Sequence, residues 1–394
     1  MPSFEDLRFE KEENKIKVVF LKMFYFYLEK EDLEAISEYK ITKNSIEFTS
    51  IKEKRANQLF NQLLEKGFNN LKNSINENKT VYIHKNSGIP LIGNVAFGIV
   101  DRGSNLIEVK PITSCNLSCV YCSVDEAKRP VDFVVEADYL LEELNKVINF
   151  KDIDNIEAHI GTQGEPLLYS QLIELIEGIK SIKQVKTISM DTNGTMLSKK
   201  GVDELVNAGL TRFNLSINAM DDKLSKKIAE GPYDIKKIKE ICQYIVKKAD
   251  IIITPVLLPG LNDEEMPKII KFSKEIKAKI GIQNFLNYKG GRNPVKQLDW
   301  EKFYDKLKEY EKEFDVKLIF NQDDFKIIKA KELPKPFKKG DVVKANIIMP
   351  GRLYNEKIAV LEDRTISVFN SKQEGKVKLK IVRSKHNIFV GEVL

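Results

Sequence analysis

The sequence predicts an α/β protein: a partial parallel (β/α)6 barrel of the TIM kind, with an α+β extension before it and a small β-barrel after it. Three observations carry that expectation. Over residues 106–320, strand-like and helix-like runs alternate about six times, which is the pattern of parallel βαβ units. Upstream, the aromatic and β-branched run KVVFLKMFYFYL stands beside one helical stretch. Downstream of a Pro-x-Pro break at Pro334 and Pro336, five short β-rich runs fit into fewer than 60 residues, which suits a small closed barrel.

In chain order, KVVFLKMFYFYL reads as a strand pair. IKEKRANQLFNQLLEKGFNNLKNSI carries apolar residues at helical spacing. The regular part begins with the strand LIEVKPIT. Then follow the helix VEADYLLEELNKVINF, the strand NIEAHI with the turn GTQGEP, the helix YSQLIELIEGIKSI and the strand VKTISMDTNG. The alternation continues through GVDELVNAG, TRFNLSINA, IKKIKEICQYIVKKA, IIITPVLLPGLND, DEEMPKIIKFSKEIKA and IGIQNFLNYKGG, and closes on the helix WEKFYDKLKEYEKEF. The expected boundaries are 1–105 for the extension, whose role the sequence leaves open, 106–320 for the parallel core, 321–336 for a linker and 337–394 for the β-barrel. In parallel barrels the reactive residues sit at the C-terminal ends of the strands, and every polar motif below falls there.

Composition excludes other classes. With 394 residues, 42% hydrophobic and 31% charged, the chain is neither disordered nor fibrous. No apolar run approaches the roughly 18 residues of a membrane span, so no membrane partner is expected. The N-terminal MPSFEDLRFEKEENK has no hydrophobic signal segment, and a cytoplasmic protein is expected. The net charge of +6 is unevenly placed. Residues 336–394 hold twelve Lys and Arg against six Asp and Glu, while residues 1–335 hold 52 of each sign. A basic terminal module on a neutral body points to a polyanionic partner.

Of the four cysteines, three crowd into Cys115-Asn-Leu-Ser-Cys119-Val-Tyr-Cys122. Three thiolates on one tight loop can hold three irons of a [4Fe–4S] cluster and leave the fourth iron open. A closed zinc site wants four ligands, and none of the three histidines, His84, His159 and His386, lies near the loop in sequence. Cys242 shares a helix face with Ile238, Ile241 and Ile245 and reads as a buried small hydrophobe.

The C-x-x-x-C-x-aromatic-C loop, with Tyr121 at the aromatic position, resembles the radical S-adenosylmethionine (radical SAM) superfamily over about residues 106–320. That resemblance implies a cluster whose open iron binds the amino and carboxylate groups of S-adenosylmethionine, and an electron donor such as ferredoxin or flavodoxin. Gln163-Gly164-Glu165 resembles the family's Gly-Gly-Glu motif, with Gln163 in place of the first glycine. A carboxylate at Glu165 is suited to accept from an ammonium, and Gly164 allows close backbone approach. Asp191, Thr192 and Asn193 end the third strand, Ser216 and Asn218 the fourth, and Gly260 the fifth. These match the positions that face the cofactor, the ribose hydroxyls and adenine. Tyr288 and Arg292, after the sixth strand, are the candidates to face substrate, Tyr288 by stacking or hydrogen transfer and Arg292 as an anion contact.

Residues 337–394 resemble a TRAM domain in Lys339-Gly340-Asp341-x-Val343, Ile366-Ser-Val-Phe369, Gly375-x-Val-x-Leu-x-Ile381 and Asn387-Ile-Phe389-Val-Gly391. The segment Met349–Lys357 departs from the family's glycine-rich run. The resemblance implies an RNA partner, tRNA or rRNA. Lys338, Lys339, Arg352, Tyr354, Arg364, Phe369, Lys372, Arg383 and Lys385 are the candidate contacts.

Residues 1–114 and the chain beyond Cys242 contain no cysteine. That argues against the superfamily classes with a second cluster or a methyl-carrying cysteine there. Single-cluster hydrogen abstraction remains. Its expected substrate is a nucleotide in tRNA or rRNA; the alternative is a protein, peptide or metabolite, with the barrel as a docking module. A non-enzymatic Fe–S RNA-binding protein would require the strand-end motifs to be accidental.

Overall fold

The parallel part forms because its strands are short β-branched runs that bury one face under helices. The computed structural model describes residues 6–161 and 163–394. Leu106–Lys110, Ile156–Ile160, Val185–Thr192, Arg212–Leu215, Asp250–Ile253 and Lys279–Ile280 lie side by side in chain order, all parallel. Gly98–Asp101 adds an antiparallel edge beside the first of them. Helices Ala137–Lys151, Leu172–Ser181, Lys199–Ala208, Ile235–Ile245 and Met266–Glu275 connect the strands, and Trp300–Phe314 follows the last. Several helices start on a side-chain cap: Ser198, Asp221 and Asp234 accept from Gly201, Leu224 and Lys237 backbone N–H groups, which satisfies donors left free in a first turn. Cys242 is fully buried among Ile238, Ile241 and Ile245, so packing accounts for it.

The expected strand pair near the N-terminus is Lys15–Phe20 with Phe24–Glu29. Its turn is unusual in chemistry, because Leu21 and Lys22 both take positive φ, 47° and 64°, where Asn-Gly is the common choice. These strands belong to a six-stranded sheet with Leu7–Lys11, Lys72–Asn73, Lys79–Ile83 and Val131–Val135. Helix Glu53–Phe68 buries Ala56, Phe60 and Leu64, a spacing of four, against it. The last strand of that sheet was not expected from sequence. Val131–Val135 follows the cysteine loop yet pairs parallel with Lys79–Ile83, so the extension and the core share one stretch of chain.

The segment expected to be a linker is strapped to the core. Ile328 N–H donates to Asn105 Oδ1 at 2.9 Å, Ala330 N–H to Gly103 O at 2.9 Å and Leu333 N–H to Asp101 Oδ2 at 3.0 Å. The buried Lys151 donates to Lys331 O and pairs with Asp101 at 2.7 Å.

The five C-terminal runs close into a barrel in the order Val342–Pro350, Glu356–Leu361, Arg364–Phe369, Val390–Val393, Gly375–Arg383. Phe337, Ile347, Ile366, Leu379, Ile381 and Phe389 fill it. It sits on residues 92–94: Thr365 N–H donates to Ile92 O at 2.9 Å, Phe389 N–H to Gly93 O at 3.0 Å and Asn94 Nδ2 to Ser367 Oγ at 3.0 Å. Gly93, at φ 129°, leaves no room for a side chain, since a Cβ there would lie 2.1 Å from Thr365 O.

Candidate functional site

The Leu106–Lys110 strand delivers the chain through Pro111–Ser114 into the loop Cys115–Cys122, which neighbours hold on every side. Ser118 and Val120 N–H groups donate to Ala229 and Ile228 carbonyls at 3.2 and 2.9 Å. Asn116 donates to Thr195 Oγ1 and accepts from Asn193 Nδ2, both at 2.9 Å. Arg292 brackets the loop: its N–H donates to Cys122 O at 3.0 Å, its guanidinium to Ser118 O at 2.6 Å, and it ion-pairs with Glu230.

All three cysteines are free and partly buried. Burial pushes the thiols of Cys115 and Cys119 up to about 12, so an electropositive partner is needed to hold them as thiolates. The surroundings supply cationic support. Arg292, whose guanidinium brackets the loop, favours the thiolate of Cys119. Among the described residues no three His, Cys, Asp or Glu side chains converge on one ion. Three thiols on one loop suit three irons of an iron–sulfur cluster better than a closed mononuclear site, which wants four ligands.

The thiols open onto a cavity of about 350 Å³. Its walls bring together Tyr121, Gln163, Gly164, Glu165, Asp191, Thr192, Asn193, Ser216 and Tyr288, residues from three strand ends and two loops. Glu165 is 1% exposed. It accepts from Thr192 Oγ1 at 2.7 Å, Asn193 N–H at 2.8 Å and Leu167 N–H at 3.1 Å. Burial outweighs those donors and raises its carboxyl to about 7; among the described residues no cation pairs with it. Gly164 packs on the approach to the cysteines, where a Cβ would lie 2.4 Å from Ser114 O. Tyr121 Oη accepts from Asn218 Nδ2 at 2.8 Å.

Several expected contacts stand elsewhere. Gly260 lies outside the cavity, in an exposed turn at φ 78°; the turn's Asn262 holds Val256 O at 2.9 Å, and Val256 lines the cavity instead. Asn218 sits behind Tyr121 and accepts from Val256 N–H at 2.8 Å, so it orients other residues. Arg292 is spent on Ser118 and Glu230 and is not available as an anion contact. In the barrel, Arg352 is the clearest correction. It is 1% exposed and points into the core rather than to solvent, because two buried carboxylates, Asp132 and Glu126, draw it in. Arg364 is partly buried and donates to Pro334 O at 3.1 Å, and Phe369 is half-buried at its strand end. Lys338, Lys339, Tyr354, Lys372, Arg383 and Lys385 are exposed.

Apart from Asp191, sequence reasoning passed over the inner face of the half-barrel. Glu108 and Lys110, Glu157 and His159, Ser189 and Asp191, Arg212 and Asn214 occupy alternate positions on four successive strands. They interlock: Ser189 Oγ donates to Glu157 at 2.7 Å, His159 bridges Ser189 and Asp191 at 2.9 and 3.2 Å, and Asn214 donates to Asp191 at 2.9 Å. Burial disfavours the imidazolium of His159, but the Asp191 carboxylate outweighs it and raises the pKa; the same pairing keeps Asp191 below the usual carboxylate range. Polar residues at every second position of otherwise apolar strands were the available signal. This face opens onto a second cavity of about 570 Å³, walled by Trp300, Phe303, Tyr304 and Phe325. Thr254, Gln283, Asn284 and Leu286 line both cavities.

Comparison with known proteins accords with this geometry. The model described as the radical SAM superfamily matches residues 109–273. The uncharacterized protein MJ0103 of Methanocaldococcus jannaschii is 42% identical over 363 residues, covering 83% of each chain. A GTP 3',8-cyclase of Campylobacter jejuni subsp. doylei is 29% identical over 47% of this chain, and the match spans 57% of that enzyme's length. Among solved structures, TYW1 with a lysine-pyruvate adduct aligns at 20% identity and TM-score 0.43, covering 57% of this chain and 78% of that one. Streptococcus suis SuiB bound to its precursor peptide SuiA aligns at 14% and 0.44, covering 80% and 71%.

Proposed function

Because the chain belongs to the radical SAM superfamily, we propose that this iron–sulfur enzyme modifies a nucleotide in RNA that its C-terminal barrel recruits. Cys115, Cys119 and Cys122 would hold the [4Fe–4S] cluster, which when bound and reduced would supply the electron for reductive cleavage of S-adenosylmethionine to methionine and a 5′-deoxyadenosyl radical. The chain's own work is placement. Glu165, a buried carboxylate lacking a cation, accepts from the ammonium of S-adenosylmethionine, which also favours its ionised form. Tyr121, fixed by Asn218, and Ser216, at the end of the fourth strand, border the nucleoside part. Tyr288, exposed at the mouth, faces the substrate.

The observation that carries the RNA reading is a lysine ladder on the barrel. Lys376, Lys378 and Lys380 point outward from one strand, alternating with buried Val377, Leu379 and Ile381. Lys344 stands beside Lys378 in the neighbouring strand. Residues two apart on a strand are about 7 Å apart, a spacing suited to successive phosphates of an extended strand. Glu392 beside Lys380 is the acidic neighbour within that register. The GTP 3',8-cyclases that share the core act on a purine nucleotide, which supports a nucleotide as the reacting group. Mass spectrometry of total tRNA and rRNA nucleosides, from cells with and without the protein, tests the proposal. One modified nucleoside missing from the deletion is expected. Unchanged nucleosides, with turnover of a peptide or metabolite by the purified enzyme, would transfer the substrate to that class.

A further inference from the structure

The stretch of the barrel that departs from the TRAM pattern reaches the loops that border the cysteine cavity. Arg352 lies in the turn between Val342–Pro350 and Glu356–Leu361. Its Nη1 donates to Asp132 Oδ1 at 2.6 Å. Its Nη2 donates to the carbonyls of Thr113 at 2.6 Å and Gln163 at 2.7 Å, with Glu126 Oε1 at 3.3 Å. Thr113 stands two residues before Cys115, and Gln163 two before Glu165. One guanidinium therefore ties together the two loops that carry the cysteines and the buried carboxylate.

The surroundings fix that guanidinium in turn. Asp132 also accepts from Asn73 Nδ2 at 2.9 Å, and Arg129 pairs with both Asp132 and Glu126. Two buried cations thus face two buried carboxylates, a balanced set that needs no further counter-ion. The carbonyls of Thr113 and Gln163 are additional to that balance, so charge neutrality alone does not account for their use. Next in the chain, Leu353 packs on Gly290, where a Cβ would lie 2.7 Å from Leu353 Cδ2, and Gly290 belongs to the loop of Tyr288.

We propose that Arg352 is a positioning residue that the C-terminal barrel contributes to the S-adenosylmethionine site, setting the separation of the Cys115 and Glu165 loops whether or not RNA is bound. This rests on reading those two loops as the cluster and S-adenosylmethionine loops. A planar fork can satisfy a carboxylate and two carbonyls at once; a lysine ammonium, a compact point charge, cannot hold the same geometry.

The test uses the full chain, reconstituted without oxygen, as parent, Arg352→Lys and Arg352→Gln/Asp132→Asn. The paired variant removes one charge of each sign, so the buried set stays balanced. Three quantities are measured: the unfolding midpoint of the unloaded protein, the iron content, and the affinity for S-adenosylmethionine with the accompanying change in the reduced cluster's paramagnetic resonance spectrum. The paired variant should keep its midpoint and iron while affinity falls roughly tenfold or more, about 1.4 kcal/mol, with a diminished spectral change. Arg352→Lys should keep iron and lose affinity in the same direction, and it carries the test alone if the paired variant does not fold. Parent-like affinity in a folded variant overturns the proposal and leaves Arg352 a charge-balancing residue. A parent that holds no iron or binds no S-adenosylmethionine overturns the reading of the loops instead, and the proposal with it.

Discussion

Two groups of cationic side chains in the molecule are built in opposite ways. Beneath the cysteine loop, Arg129 and Arg352 are buried against Glu126 and Asp132, and each guanidinium has named partners. On the barrel, Lys344, Lys376, Lys378 and Lys380 stand in water on an open strand face. Charge taken out of water at high desolvation cost must be matched inside the protein, so it is fixed in place and can orient what it touches. Charge left in water costs little and does little for the fold; its effect is felt by a polyanion arriving from outside.

The largest effect expected lies at the cysteine loop whose approach Arg352 holds through Thr113 O. Replacing Cys115, Cys119 or Cys122 by Ala should abolish release of 5′-deoxyadenosine and lower the content of about four irons, whereas Cys242→Ala should leave both unchanged. Loss of cleavage in Cys242→Ala alone would show that the fully buried thiol does more than pack. Next in size is Asp132→Ala. It leaves two buried guanidiniums sharing one carboxylate, Glu126, and should cost on the order of 3–5 kcal/mol in chemical denaturation; a cost below about 1 kcal/mol would mean that water reaches this set and that the two regions are alike. Smallest in stability is Lys376→Gln/Lys378→Gln/Lys380→Gln, expected within roughly 0.5 kcal/mol per site. Its signature is different: the slope of log affinity for tRNA against log salt should fall by roughly two to three. An unchanged slope removes the ladder from the RNA surface.

Much of the candidate site was legible because a parallel sheet orders its own strand ends. Once alternation from residue 106 is recognised, residues ending successive strands must share one rim, and Tyr121, Glu165, Asn193 and Ser216 do line one cavity. The five barrel runs were legible for a similar reason, since each alternates inward apolar and outward polar residues. What escaped were pairings between distant positions. Arg352 meets Asp132 across 220 residues and Arg292 meets Glu230 across 62, and no periodicity announces such a partner. Lys376, Lys378 and Lys380 were passed over in favour of residues in motifs and turns, although their period of two on one strand was visible. Val131–Val135 was missed as a strand because its run VDFVV lies directly before a helix that dominates the local pattern.

That last strand bears on how the chain is made. During synthesis the N-terminal sheet emerges first, with Lys79–Ile83 as an uncovered edge until residue 135 has left the ribosome. An open apolar edge is where a nascent chain pairs wrongly. The stretch that covers it is the one that leads out of the cysteine loop, so closing the first sheet also draws Cys115–Cys122 toward its final position before the later parallel strands, from Ile156–Ile160 onward, exist.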